Sequence, residues 1–142
     1  MLTINLALVS EIEDHDPSDL ARVAAALQRQ AARDFAPVWD VSATVDGFPR
    51  LEDVPVGYRP MIIVPDVQGA AGIHLDKDGQ PFALIEMSDS WSLTANQEML
   101  EMLADPFETG LCRAPRSSAG RDASSTWSRS ATPRRRPNSR TR

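Results

Sequence analysis

Four oxygen-bearing side chains near residue 100 have a spacing that suits metal chemistry. Gln97, Glu101 and Asp105 are four residues apart, so on a helix they share one face. Glu98 lies beside the first of them. Two ligands four residues apart hold zinc in metal-dependent hydrolases, where the Glu after the first ligand activates the bound water. The residues from Gln97 to Asp105 therefore have a spacing that metal-binding helices use.

Two plainer interpretations of the same residues stay open. Thr94-Ala95-Asn96-Gln97 fits a capping box, in which the Gln97 side chain bonds back to the Thr94 amide. The acidic residues could also form the solvated face of a surface helix. His74 lies on a predicted strand before this helix. It could be a ligand or a substrate contact, or an ordinary half-buried histidine.

The elements that must position these groups follow from hydrophobic patterning. Residues 3–10 read as a buried strand, and Asp16-Pro17 caps a helix that we expect to end before Pro37. Residues 38–48 and 59–64 read as strands. Residues 72–76 and 80–87 form a predicted hairpin around Gly79, with Pro81 at an edge or a strand start.

A second helix is predicted to begin near Thr94 and to stop at Asp105-Pro106. The element order is therefore β-α-β-β-β-β-α. Because the closing hairpin is antiparallel, the pattern favours an α/β (α+β) fold with a mixed sheet.

Charge divides the chain into an acidic body and a basic tail. Residues 1–112 contain six basic and 19 acidic residues, a net charge of −13, whereas residues 113–142 contain nine arginines and one acid, a net charge of +8. An acidic body disfavours nucleic-acid binding, so only nonspecific binding through the tail is expected. We predict a folded domain over residues 1–107 and a disordered Arg/Ser-rich tail over residues 108–142.

Single features of the sequence disfavour disulfide-bonded, membrane-spanning and secreted proteins. One cysteine, Cys112, cannot form an intramolecular disulfide or a cysteine-cluster metal site. No run approaches 18 apolar residues, so no membrane span is predicted. The first residues lack the pattern of a signal peptide, and a cytoplasmic location is the expectation. The sequence predicts no specific partner, substrate or oligomeric state.

The segment from Trp91 to Pro106 resembles a family of largely uncharacterised bacterial proteins similar to zincin-type metallopeptidases. Their approximate pattern is W-S-x-x-x-S-H-E-x-L-E-M-L-x-D-P. The resemblance extends through residues 30–39 and 71–74 and covers nearly all of residues 1–107. It implies a zincin-like core in which position 97 is the first zinc ligand and Glu98 the general base. It also implies Glu101 as second ligand and Asp105 as a further ligand or supporting group.

Position 97 departs from this pattern, because a glutamine stands where the family has histidine. A neutral amide oxygen is a poor zinc donor beside imidazole. We therefore expect a metallopeptidase relative that is inactive and binds zinc weakly or not at all. The alternative is a non-catalytic acidic interaction module with a basic disordered arm.

The tail itself suggests a shifted reading frame. Written with allowed codons, residues 126–133 read from the third nucleotide as Leu-Val-Glu-Val-Cys-Asp-Pro. The resembling family has a Val-Cys-Asp-Pro stretch some way after its Asp-Pro. The hypothesis is that one nucleotide was lost near Phe107 and that a native C-terminal part is missing. Loss of that part is a second reason, beside Gln97, to expect an inactive relative. The gene's nucleotide sequence decides between this hypothesis and a genuine basic arm.

Overall fold

A computed structural model describes residues 2–107, so the predicted tail over residues 108–142 lies outside the described residues. Five strands and three α-helices follow one another in the order β1 (Leu2–Ser10), α1 (Pro17–Gln30), α2 (Ala36–Trp39), β2 (Val41–Phe48), β3 (Arg59–Val64), β4 (Gly72–Lys77), β5 (Gln80–Glu86) and α3 (Trp91–Ala104). The strand order in the sheet is β2-β1-β3-β5-β4. All pairs are parallel except β4 with β5, which is antiparallel. The predicted mixed sheet is confirmed.

The sheet's helix-facing side and two helices share one core. Alternate strand residues point to the same side of a sheet, and those that pack with the helices are Ile4, Leu6, Leu8, Ala43, Val45, Met61, Ile63, Ala83 and Ile85. Helix α1 contributes Leu20, Val23 and Leu27, and α3 contributes Ala95, Met99 and Met102. These contacts fix α3 over β5 and β4, where the candidate site lies.

The start of α1 is as the sequence predicts, and its end is not. Asp16 is the N-cap and accepts a hydrogen bond from the Ser18 amide, with Pro17 in the first turn. The helical path continues past Gln30 through a π-helical turn over Ala31–Phe35 and then through α2. The expected stop before Pro37 is therefore wrong, and so is a strand start at residue 38.

The π-helical turn explains how the helix accommodates Pro37. The Ala36 amide donates to the Ala31 carbonyl, five residues back, which places the proline after a change in hydrogen-bond register. Proline has no amide hydrogen to donate, and π-turns occur as single-turn bulges inside α-helices. The path ends at Asp40, whose φ of 55° is left-handed, and β2 begins at the next residue.

The predicted hairpin is confirmed and brings His74 to the sheet's edge. Lys77 pairs with Gln80 across a two-residue turn, in which Asp78 and Gly79 have φ of 54° and 80°. Such turns require positive φ at both positions. Pro81 lies at the start of β5, before the residues that pair with β3, so the strand-start alternative is the observed one.

The outer edge of β2 is bonded to a side chain of α1. Nε2 of Gln28 donates to the Ala43 carbonyl at 2.9 Å, and the Val45 amide donates to Oε1 of Gln28 at 2.6 Å. The Gln28 amide thus occupies the place that a neighbouring strand's peptide group would take.

Candidate metal centre

Helix α3 is held against the sheet by apolar residues at both of its ends. Trp91 is buried at its start and makes an edge contact with the His15 ring, with ring centroids 5.2 Å apart. Met99, Met102 and Leu103 are buried further along. The helix begins three residues before the predicted Thr94. Its position along β4 is therefore set by packing over its whole length.

A glycine on β4 allows the helix to approach the strand closely. A Cβ placed on Gly72 would lie 2.6 Å from Oε1 of Glu98 and 2.6 Å from Cγ2 of Thr94. Real Cβ atoms do not tolerate such contacts, so this crossing depends on the missing side chain. Thr94 and Glu98 are the two polar residues that are buried in the part of the chain described, at 8% and 4% exposure.

His74, two residues along β4, meets two carboxylates of α3. Its Nδ1 lies 3.7 Å from Oε2 of Glu98 and 3.4 Å from Oε2 of Glu101. The His74 and Glu98 side chains are 11% and 5% exposed, whereas that of Glu101 is 47% exposed. One ligand atom from each of the three residues lies within 4.8 Å of the other two. The site therefore has a buried floor and one side open to solvent.

Gln97 joins this cluster through Glu101. The Gln97 side chain is exposed, and its Nε2 donates to Oε1 of Glu101 at 3.1 Å. The capping-box alternative is wrong, because Thr94 lies inside the helix and Ser90 is the N-cap residue. The amide of Gln97 thus contacts the oxygen of Glu101 opposite to the one that faces His74.

Asp105 lies at the other end of α3. It is the C-cap residue, with φ of −138°, and its amide donates to the Glu101 carbonyl at 2.7 Å. The group of ligand atoms around His74 does not include it. Its role as a further ligand or supporting group stays a prediction.

The end of α3 is tied to the central strand. Nη1 of Arg59, on β3, donates to the Met102 carbonyl at 3.2 Å. A positive charge bonded to the last turn interacts favourably with the negative C-terminal end of the helix dipole. Burial lowers the pKa of the Arg59 guanidinium from its usual value, though it stays protonated at neutral pH.

The three side chains fit the donor chemistry of zinc. Imidazole nitrogen and carboxylate oxygen are both zinc ligands, and tetrahedral ligands bonded at about 2.0–2.1 Å lie roughly 3.4 Å apart. The separations of 3.4 and 3.7 Å between Nδ1 of His74 and the two carboxylate oxygens agree with that value. Two carboxylates and a neutral imidazole carry a charge of −2, which a divalent cation balances.

A second histidine with a buried side chain, His15, was not predicted from the sequence. His15 lies in the loop between β1 and α1, and its side chain is 5% exposed. Its Nδ1 lies 2.7 Å from Oγ of Ser10, and its Nε2 lies 3.6 Å from Oδ2 of Asp19. Ser10 and His15 line a cavity of about 270 Å³ beside the N-terminus of α1. Ser10 and Asp19, five residues before and four residues after His15, form no motif with it that would have revealed this contact.

Searches for a matching family model, for similar curated proteins and for similar solved structures found no match to this chain. No helix within residues 2–107 is long and apolar enough to cross a membrane. The cytoplasmic location and the zincin-like core stay predictions from the sequence.

Proposed function

We propose that this chain is a relative of zincin-like metallopeptidases that does not hydrolyse peptides as written. The observation that carries the proposal is the burial of Glu98, at 4% exposure, beside His74 and one helical turn from Glu101. A surface helix with a solvated acidic face would leave Glu98 in water. A buried carboxylate needs a compensating cation or hydrogen bonds, which is typical of a functional site.

The order of elements gives further support. The pattern that this chain resembles implies strands that precede an active-site helix, and α3 follows five strands and packs on β5 and β4. Gln97 and Glu101 share a face of α3, as a metal-binding helix requires of positions four apart. Zinc in such a site lowers the pKa of a bound water to about 7. With an imidazole restored at position 97, the Glu98 carboxylate would be free to accept a proton from water.

Gln97 is the reason for proposing inactivity. A peptidase site needs three protein ligands and a free carboxylate near an open metal position. Gln97 offers only a neutral amide, which is bonded to Glu101 in this chain. With no imidazole at position 97, the two carboxylates and His74 are the donors that remain.

The test is peptidase activity after restoring the family residue. The full chain, Gln97→His and the double variant Gln97→His/Glu98→Gln are incubated with zinc and a mixture of unfolded proteins, and new termini are counted by mass spectrometry. We expect chelator-sensitive cleavage by Gln97→His alone. The double variant is the matched control, because it keeps the new imidazole and loses the base.

Two results would overturn the proposal. Chelator-sensitive cleavage by the unmodified chain, abolished by Glu98→Gln, would show that it is an active peptidase. A folded Gln97→His variant that gains neither cleavage nor zinc affinity would remove the peptidase ancestry, and the acidic interaction module would become the better description. Salt-dependent self-association that is lost on deleting residues 108–142 would favour that module directly.

A further inference from the structure

We infer that the chain as written binds one zinc ion through His74, Glu98 and Glu101, with Gln97 as a positioning residue and not a ligand. The inference rests on the proposed function for the place of the site, and it replaces the expectation that the chain binds zinc weakly or not at all because of the glutamine. The strand histidine takes the place of the imidazole that α3 lacks.

The geometry of two elements supports this ligand set. Glu98 and Glu101 are three residues apart on α3 and so project to the same side of the helix. His74 projects from β4 towards the same side, and its Nδ1 lies 3.7 and 3.4 Å from their carboxylate oxygens. These distances match the edges of a zinc coordination tetrahedron, roughly 3.4 Å. The Glu101 side chain is 47% exposed, so zinc has an entry path from solvent.

Electrostatics favours a divalent cation at this point. One carboxylate oxygen of Glu98 lies within 4.8 Å of one carboxylate oxygen of Glu101. The Glu98 side chain is 5% exposed. Like charges at that distance repel more strongly in a partly buried site than in water. A zinc ion neutralises both carboxylates while His74 remains a neutral donor.

The local backbone is adapted to this arrangement. Gly72 lets Glu98 lie against β4, where a side chain at position 72 would prevent it. Two residues further along the strand, His74 faces the same helix. The strand thus provides one ligand and makes room for another.

Gln97 has a defined part in this site. Its hydrogen bond to Oε1 of Glu101, at 3.1 Å, leaves Oε2 of the same carboxylate directed at His74. Hydrogen bonds to the free atom of a metal ligand orient it, and their loss typically costs about 10–100-fold in metal affinity. Because Glu98 serves as a ligand here, it is not free to activate water. The chain can then bind zinc and still fail to hydrolyse peptides.

The experiment is a zinc titration of the full chain after chelation and dialysis, with a competing chelator to report affinity. We expect one zinc per chain. His74→Ala and Glu101→Gln should each lose more than about 100-fold in affinity, beyond the range of an outer residue. Gln97→Ala should lose about 10- to 100-fold and keep one zinc per chain. Glu52→Gln, an exposed carboxylate, is the matched control and should bind like the unmodified chain.

A second readout identifies the ligands without any assay of activity. X-ray absorption of the zinc-loaded chain should show one imidazole, with oxygen in the other positions. His74→Ala should lose the imidazole signal, and circular dichroism of the zinc-free variants shows whether each is folded. No zinc bound by the folded unmodified chain, or equal binding by His74→Ala, would overturn the inference. An unchanged affinity in Gln97→Ala would overturn the positioning role.

The two proposals fail separately. If Gln97→His cleaves proteins while the unmodified chain binds no zinc, the proposed ancestry stands and this ligand set is wrong. If zinc binding depends on His74 while Gln97→His gains neither cleavage nor zinc affinity, the ligand set stands and the peptidase ancestry is wrong.

Discussion

Gly72 of β4 and Glu98 of α3 are in such close contact that a single added carbon on residue 72 would lie 2.6 Å from the Glu98 carboxylate. The neighbouring Thr94 methyl group closes the other side at the same distance. The position of the buried carboxylate therefore depends on a residue without a side chain on a different element.

The first prediction follows from this contact. Gly72→Ala should lower the free energy of unfolding by about 1–3 kcal/mol, because the new methyl group displaces Glu98 or the helix. Chemical denaturation measures the change. Gly47→Ala is the control, since a Cβ there would lie 3.8 Å from Leu20 in ordinary contact. Equal stability of the two variants would contradict the close packing of α3 on β4.

The second prediction concerns the edge of β2. Gln28→Ala removes two hydrogen bonds and leaves the Ala43 carbonyl and the Val45 amide without that partner. A loss of about 1–3 kcal/mol in the free energy of unfolding is expected for part-buried backbone groups. Gln30→Ala is the control on the same helix, because the two hydrogen bonds to β2 come from Gln28 and not from Gln30. A control as destabilised as Gln28→Ala would rule out a specific role for the two bonds.

The third prediction is a pH dependence at the start of α1. Hydrogen bonds from the Ser18 hydroxyl and amide hold the pKa of Asp16 below its ordinary value of 3.8. A lowered folded-state pKa gives stability that is present above pH 3.8 and is lost as the pH falls through the lower value.

Asp16→Asn isolates that contribution, because asparagine is an equally good cap and does not titrate. Between pH 5 and pH 3, the melting temperature of the unmodified chain should fall further than that of the variant. Parallel pH profiles would show that the cap does not contribute to acid unfolding.

The fourth prediction is that zinc stabilises the fold through His74. A ligand at 100 times its dissociation constant adds about 2.7 kcal/mol to the free energy of unfolding. Thermal unfolding should shift upwards with zinc in the unmodified chain and not in His74→Ala. Magnesium, which prefers an all-oxygen octahedral shell, should give little shift in either protein. A similar shift in both proteins would place the zinc elsewhere.

Local signals in the sequence predicted most of the fold. The Asp16-Pro17 start of α1 and the turn at Asp78-Gly79 depend on residues within one turn of each other, and both are confirmed. The end of the first helical path depends on a π-helical turn before Pro37, which is a change of register that composition does not reveal. Proline was therefore read as a stop where the helix continues.

In the candidate site, too, local sequence signals predicted some features and tertiary packing determined the others. Helical periodicity correctly placed Gln97 and Glu101 on one face, as their hydrogen bond shows. It could not show that Glu98 is buried or that His74 is the histidine beside it, because both depend on where β4 lies against α3. The start of α3 at Trp91 was missed for a related reason, since tertiary packing of that ring overrides the Thr94 capping pattern.

The Gln28 side chain has a consequence for how copies of this protein can associate. An uncovered outer strand is a template on which another chain can add a strand and start polymerisation. On β2 the Ala43 carbonyl and the Val45 amide are already hydrogen-bonded to the Gln28 side chain, so an incoming strand must first displace it. Addition of a strand from another copy is therefore easier at the opposite edge of the sheet. That edge is β4, which ends in the charged residues Asp76 and Lys77.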